Sequence, residues 1–129
     1  MAHTGSEKQY TLRLEHRPRY LYAFVSGEQD SYDISKEYWQ EIADHLKETD
    51  YARVLIDEDI EQAASVIDVF HLVSELPAMG FTGIRIAFHD RKIEHKNLNE
   101  FGELVAANRG INGRVFNDLD LAEKWITSD

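Results

Sequence analysis

Asp57, Glu58 and Asp59 follow one apolar run, and His89, Asp90, Arg91 and Lys92 follow another. In a parallel α/β sheet, ligands gather at the carboxyl ends of the strands, where both clusters are expected to fall. Asn117 closes a last short run, and His95 lies in the loop entering the next helix. Carboxylates beside two histidines have the chemistry for a divalent cation or for proton transfer. No two of them share a tight ligand spacing such as His-x3-His on a helix, so neither a metal nor another cofactor is expected. Acids opposite Arg91 and Lys92 read more simply as surface ion pairs, with the cation as the alternative. Val54-Leu55-Ile56-Asp57 ends in an aspartate, as a phospho-receiver strand does. That chemistry also needs an early acidic pair and a late lysine, and Ser26-Gly27-Glu28 and Phe116-Asn117 supply neither. There is no GxSxG elbow, no P-loop, no GxGxxG and no cysteine. The six histidines are scattered, with His45 and His71 on polar helix faces where water solvates them. An enzyme using the Asp57/His89 edge is therefore the weakest functional reading, and no catalytic residue is assigned.

The bulk properties exclude whole classes. A chain of 129 residues suits one domain with one core. The apolar share is 43% and the charged share 29%, a soluble globular profile rather than a disordered one. With no cysteine, a disulfide scaffold and a thiolate site are excluded, which fits a reducing, cytoplasmic setting. MAHTGSEKQY has no apolar segment of a signal peptide, and no run is long enough to span a bilayer. The net charge of −10 argues against nucleic acid and anionic membrane as partners. Between Glu28 and Asp68 stand 13 acids against Lys36, Lys47 and Arg53, so this third of the chain holds the whole net charge. The simple reading is a solvated helix face; the sharper one is a surface for a basic protein partner.

The elements that must position these residues follow from periodicity. Residues 1–9 are polar and expected to fray. Thr11–Glu15 and Tyr20–Ser26 read as strands of a hairpin turned by Arg17-Pro18-Arg19. Ser35 is a candidate N-cap for a helix that carries Tyr38, Trp39, Ile42, Ala43 and Leu46 inward and ends near Thr49. Ala52–Asp57 is a strand covered on both faces. A second helix spans Ala63–Leu76, with Pro77 as its breaker and Gly80 as its exit. Gly83–Phe88 is a further strand. Asn97 with Glu100 forms a capping-box variant that opens a third helix, with Leu98, Phe101 and Val105 inward and Gly110 beyond its end. Arg114–Asn117 is the last strand, and Asn117 or Asp118 caps a final helix with Leu121, Ala122 and Trp125 on its apolar side. The order ββαβαβαβα predicts one α/β domain with four helices. Its sheet is mostly parallel, with an antiparallel N-terminal strand.

That order, together with Val54-Leu55-Ile56-Asp57, Ala107-Asn108-Arg109-Gly110, and Arg114-Val115-Phe116 followed by Leu121-Ala122 and Trp125-Ile126, resembles the SpoIIAA-like group of the STAS superfamily. Within it the chain is most similar to the bacterial STAS/SEC14-type branch. The resemblance covers residues 10–127 and implies a regulatory protein-interaction module without catalysis, some of whose relatives are suspected of binding lipid. In STAS proteins a serine in an Asp-Ser/Ser-Gly stretch at the start of the second helix is phosphorylated. Here the stretch reads Gln62-Ala63-Ala64-Ser65-Val66-Ile67, so only Ser65 falls near that position and the flanking Asp and Gly are missing. A phosphate on Ser65 would meet free helix amides; the plainer role of Ser65 is a helix cap.

The second helix carries the most information. Asp68, His71 and Glu75 form one polar stripe at 100° per residue, and Ala63, Val66, Phe70 and Val73 lie opposite as the expected sheet-packing face. Val69, Leu72 and Leu76 form a second apolar ridge. A second ridge must be covered by a neighbouring helix, by another subunit or by an apolar ligand. The expected function is a non-enzymatic STAS-type interaction module that self-associates as a homodimer. The alternative is a binder or carrier of an apolar small molecule or lipid held under this helix.

Overall fold

The N-terminal hairpin sets the edge of the sheet. In the computed structural model, which describes residues 8–129, β1 (Tyr10–His16) pairs antiparallel with β2 (Leu21–Gln29), Tyr10 opposite Gly27 and His16 opposite Leu21. The expected frayed N-terminus lies outside the described residues over 1–7. Strands β3 (Arg53–Gln62), β4 (Arg85–Asp90) and β5 (Asn112–Phe116) add in sequence order, each parallel to its predecessor. The expected ββαβαβαβα order is the observed one, with α1 (Tyr32–Lys47), α2 (Val66–Leu76), α3 (Lys96–Asn108) and α4 (Leu119–Thr127).

Strand alternation divides the core in two. Leu21, Ala23, Val25, Val54, Ile56 and Ile86 face α1, α2 and α3. Tyr20, Tyr22, Leu55 and Ala87 face Ala122 and Ile126 of α4. The helix side holds most of the fully buried volume, including Tyr38, Ile42, Ile60 and Phe81.

Several local expectations are corrected. Helix α1 begins earlier: Ser31, not Ser35, is its N-cap, and its Oγ accepts from the Ile34 amide at 3.1 Å. Ser35 is buried and donates to Asp30 instead. Helix α2 starts at Val66 rather than Ala63 and ends at Leu76 as expected; Pro77, with φ −59° and ψ −43°, opens a π-type turn over Pro77–Phe81. The chain leaves at Gly80, where φ 108° suits a residue without Cβ. Helix α3 begins at Lys96 behind a 3-10 turn at Ile93–His95, with no side-chain cap, so Asn97 and Glu100 do not form a capping box. Gly110 (φ 75°) closes α3, and Asp118 caps α4 by accepting from the amides of Asp120 and Leu121. Leu121, placed on the apolar side from sequence, is exposed.

Strands β3 and β4 run further than their apolar stretches. Asp57, Glu58 and Asp59 are inside β3, and His89 and Asp90 are inside β4, so only Arg91 and Lys92 follow a strand end. Polar residues continue a ladder where each finds partners on its own face, a non-local condition.

Candidate functional site

Consecutive residues of β3 put carboxylates on opposite faces of the sheet. The register sets Asp57 beside His89 and Glu58 beside Asp90. On the α4 face, Asp57 is completely buried. His89 Nδ1 donates to its Oδ1 at 2.9 Å, and Tyr22 Oη donates to Oδ2 at 2.6 Å. Arg91 adds a forked pair from Nε and Nη2 at 3.2 and 2.8 Å, and its guanidinium lies 4.8 Å from the Phe24 ring centre. Burial alone would raise the Asp57 carboxyl, but bonds from His89, Arg91 and Tyr22 outweigh it and hold the group well below the usual carboxylate range. Burial and the Asp57 charge push the Tyr22 hydroxyl up to about 12. This cluster is a closed ion-pair brace: His89, Tyr22 and Arg91 converge on one aspartate.

On the helix face the chemistry is reversed. Asp30, at the end of β2, accepts from the Ser35 hydroxyl at 2.6 Å, the Ser31 amide at 2.9 Å and the Tyr38 hydroxyl at 3.0 Å. Asp90 accepts from the Lys92 amide at 2.8 Å, Asn99 at 2.9 Å and His95 Nδ1 at 3.1 Å. Glu58 stands between these two satisfied acids. Its Oε1 lies 3.2 Å from the Tyr38 hydroxyl, whose single proton also faces Asp30, and the Glu58 carboxyl is itself hydrogen-bonded to Asp30. Burial first, and then the charges of Asp30 and Asp90, raise the Glu58 carboxyl well above its ordinary value, so it is held neutral. Burial, and then the charges of Glu58 and Asp30, raise the Tyr38 hydroxyl.

These acids line one end of a cavity of about 120 Å³ between the sheet and helices α2 and α3. The rest of the lining is apolar, with Val69, Leu72 and Leu76 above and Ile86, Phe88 and Ile111 among the other walls. Gly102 of α3 keeps the roof close, since a Cβ there would lie 3.3 Å from Val69 Cγ1.

No family model and no curated protein sequence matches the chain. Solved structures do. An anti-sigma factor antagonist from Mycobacterium paratuberculosis superposes with a TM-score of 0.64 at 15% identity, covering 92% of this chain and 95% of that one. An uncharacterised protein with a SpoIIAA-like fold from Shewanella loihica gives a TM-score of 0.54 at 10% identity, covering 97% and 99%. The chain has a SpoIIAA-like fold.

Within this SpoIIAA-like fold, Ser65 is the N-cap of α2, its Oγ accepting from the Asp68 amide at 3.1 Å. Of the expected sheet-packing face of α2, Val73 and Ala63 line the cavity but Val66 and Phe70 turn outward, and the Val69/Leu72/Leu76 ridge packs inward. Leu72 and Leu76 are 6% and 3% exposed and Val69 is half-buried, all three at the cavity, whereas Val66, Ile67 and Phe70 are 57%, 67% and 40% exposed. The polar stripe decides this: Tyr32 of α1 donates its amide to Asp68 at 3.1 Å and its hydroxyl to Glu75 at 2.7 Å, which rolls the helix. The residues expected as one strand-end edge are dealt to two faces: Asp57, His89 and Arg91 go to the brace and Glu58 to the cavity. Asp59 makes a 3.6 Å pair with Lys92. Sequence reasoning missed Asp30 and the role of Tyr38. The available signal was polar atoms on the apolar stripe of α1, at Ser35 and Tyr38, which require a buried partner. The acidic third of the chain is accordingly not all solvated, because Asp30, Asp57 and Glu58 are buried while Asp33, Glu37, Asp44 and Glu48 face water along α1. No helix of the described residues is long and apolar enough to cross a membrane.

Proposed function

We propose that this chain is a non-catalytic STAS-type regulatory module that works by protein association through the outer face of α2. The observation carrying this reading is that Val66, Ile67 and Phe70 are exposed on the first turns of α2, after the capping Ser65, with Phe70 flanked by the Arg109 guanidinium at 5.0 Å. Three neighbouring apolar side chains at a helix start are the kind of patch that proteins cover with a partner. The structural likeness to a protein described as an anti-sigma factor antagonist supports the same class. The partner proposed first is a second copy of the chain. The acidic outer row of α1 supplies a separate surface for a basic protein. A phosphoryl group on Ser65 would stand on the amides that its hydroxyl now caps, at the foot of the apolar patch, and would oppose an apolar partner there. Light scattering of the wild type against Ile67→Asp tests the dimer. A dimer that becomes a folded monomer supports it, and a wild-type chain that is monomeric at all concentrations overturns self-association.

A second reading is favoured by the cavity: the module holds an apolar small molecule under α2. Val69, Leu72 and Leu76 then serve as the wall of the ligand site. Native mass spectrometry of protein from its own host tests it, since a co-purified apolar molecule adds a discrete mass.

A further inference from the structure

Two imidazoles meet at the surface, far from the cavity chemistry. His16 closes β1 and His45 lies in the last turn of α1, and their Nε2 atoms face each other at 2.7 Å. His16 is exposed and His45 half-buried, turned toward β1 rather than wholly to water as its helix position suggested. The rings meet edge-on with centres 5.0 Å apart. Tyr51 stands 5.4 Å from the His16 ring, and its own hydroxyl is fixed by donating to the Arg17 carbonyl at 2.6 Å. At this separation an N–H···N bond needs one ring to carry its proton on Nε2 and the other on Nδ1. The two cations adjacent in sequence turn away. Arg17 reaches Glu15 and Glu123, and Lys47 lies along Gly80. The local field favours a cation, because the pair sits at the carboxyl end of α1, whose dipole is negative there, and the helix carries Glu41, Asp44 and Glu48 close by in sequence.

We propose that His16 and His45 form a two-imidazole clamp for a divalent transition cation of the zinc class. The donating ring moves its proton from Nε2 to Nδ1, so both Nε2 lone pairs face the ion and no proton is lost. Two waters of the hydrated ion leave as the two metal–nitrogen bonds form. Bonds of ~2.0–2.1 Å at a tetrahedral angle place the nitrogens ~3.3 Å apart, so the pair opens by about 0.6 Å. The water-facing His16 side chain can make that movement. Among the described residues no group of three or more histidine, aspartate or glutamate side chains is poised on one ion, so water completes the coordination sphere. Imidazole ligands select zinc, copper or nickel over magnesium and calcium. The bound ion ties the end of β1 to the end of α1. This proposal stands apart from the association and cavity readings, since α2 is held at the other end of α1, through Tyr32.

Zinc chloride added to the intact chain, with the histidine ring nitrogens followed by NMR, tests the clamp. One zinc per chain is expected, with the Nε2 signals of His16 and His45 moving together and those of His71, His89 and His95 unmoved. Magnesium at the same concentration is expected to move none of them. His16→Gln and His45→Gln are each expected to weaken zinc binding at least about tenfold. Each is also expected to cancel the rise in melting temperature that zinc gives the wild type. Zinc that shifts the other histidines first, or that half-saturates only above about 1 mM, overturns the clamp. So does a glutamine variant that binds zinc as tightly as the wild type. Should a variant fail to fold, the ring shifts of the wild type decide the matter alone.

Discussion

Asp57 and Glu58 are neighbours on one strand, equally deep in the protein, and their carboxyl groups are driven in opposite directions. Asp57 meets an arginine fork, an imidazole N–H and a phenol, so the anion is better placed than in water. Glu58 meets a single phenol and two other acids, so the anion is worse placed and the proton stays. Burial pushes both carboxyls up and is the first cause at each, so what separates them is whether donors outweigh it. The number and charge of the donors arriving from adjacent strands and helices decide which acid braces the fold and which is kept in reserve beside a cavity.

The contrast can be broken at its stronger end first. Asp57→Ala removes the acceptor shared by Arg91, His89 and Tyr22, and is expected to lower unfolding free energy by about 3 kcal/mol in urea titrations. The half-exposed Arg91 can turn to water, which keeps the loss at the low end of the range for a broken buried pair. The pH profile carries the sign. The folded pKa of Asp57 is depressed, so its contribution is complete above the unfolded value near ~4 and disappears as pH falls through and below it. Asp57→Asn should show none of that acid-side loss.

Leu72→Ala tests which face of α2 belongs to the core. Loss of about 2 kcal/mol is expected, the lower end for a buried leucine because the trimmed side chain borders an existing cavity. Ile67→Ala on the outer face should change stability by no more than ~0.5 kcal/mol when measured at protein concentrations where the chain is monomeric. Equal losses at both positions would contradict the helix orientation described here.

Glu58→Gln sharpens the other half of the contrast. A raised folded pKa means the folded chain keeps a proton that the unfolded chain releases, so wild-type stability falls as pH rises above ~4.3. The variant lacks this loss. Its stability relative to wild type should climb by up to about 1.4 kcal/mol per pH unit until Glu58 ionises, read from chemical denaturation at a series of pH values. A flat difference would mean that Glu58 is already ionised in the fold.

A modest effect is expected at the helix start. Ser65→Ala removes the cap of α2 and should destabilise by about 1 kcal/mol, with Ser65→Gly losing only a few tenths, in thermal melts.

Much of the fold was legible because it rests on short-range rules. The nine-element order came from apolar period, Gly110 from the need for a left-handed exit, and Asp118 from cap chemistry. The site was far less legible. The acids Asp57, Glu58 and Asp59 looked like a loop because a strand usually stops when its apolar run stops. Their ladder continues only because His89, Arg91, Tyr22, Tyr38 and Lys92, from other segments, receive them. Asp30 lay in a polar connection with nothing local to mark it as buried.

The amino-acid order by itself determined the alternation of strands and helices, the capping serine of α2 and the presence of two apolar stripes on that helix, since each depends on residues within one or two turns. Only the tertiary structure decided which stripe turned inward and which acid stayed charged. Both depend on free-energy differences set by groups far away in the chain, Tyr32 pulling on Asp68 and Glu75 in one case and Arg91 reaching Asp57 in the other. No local pattern encodes where such partners will meet.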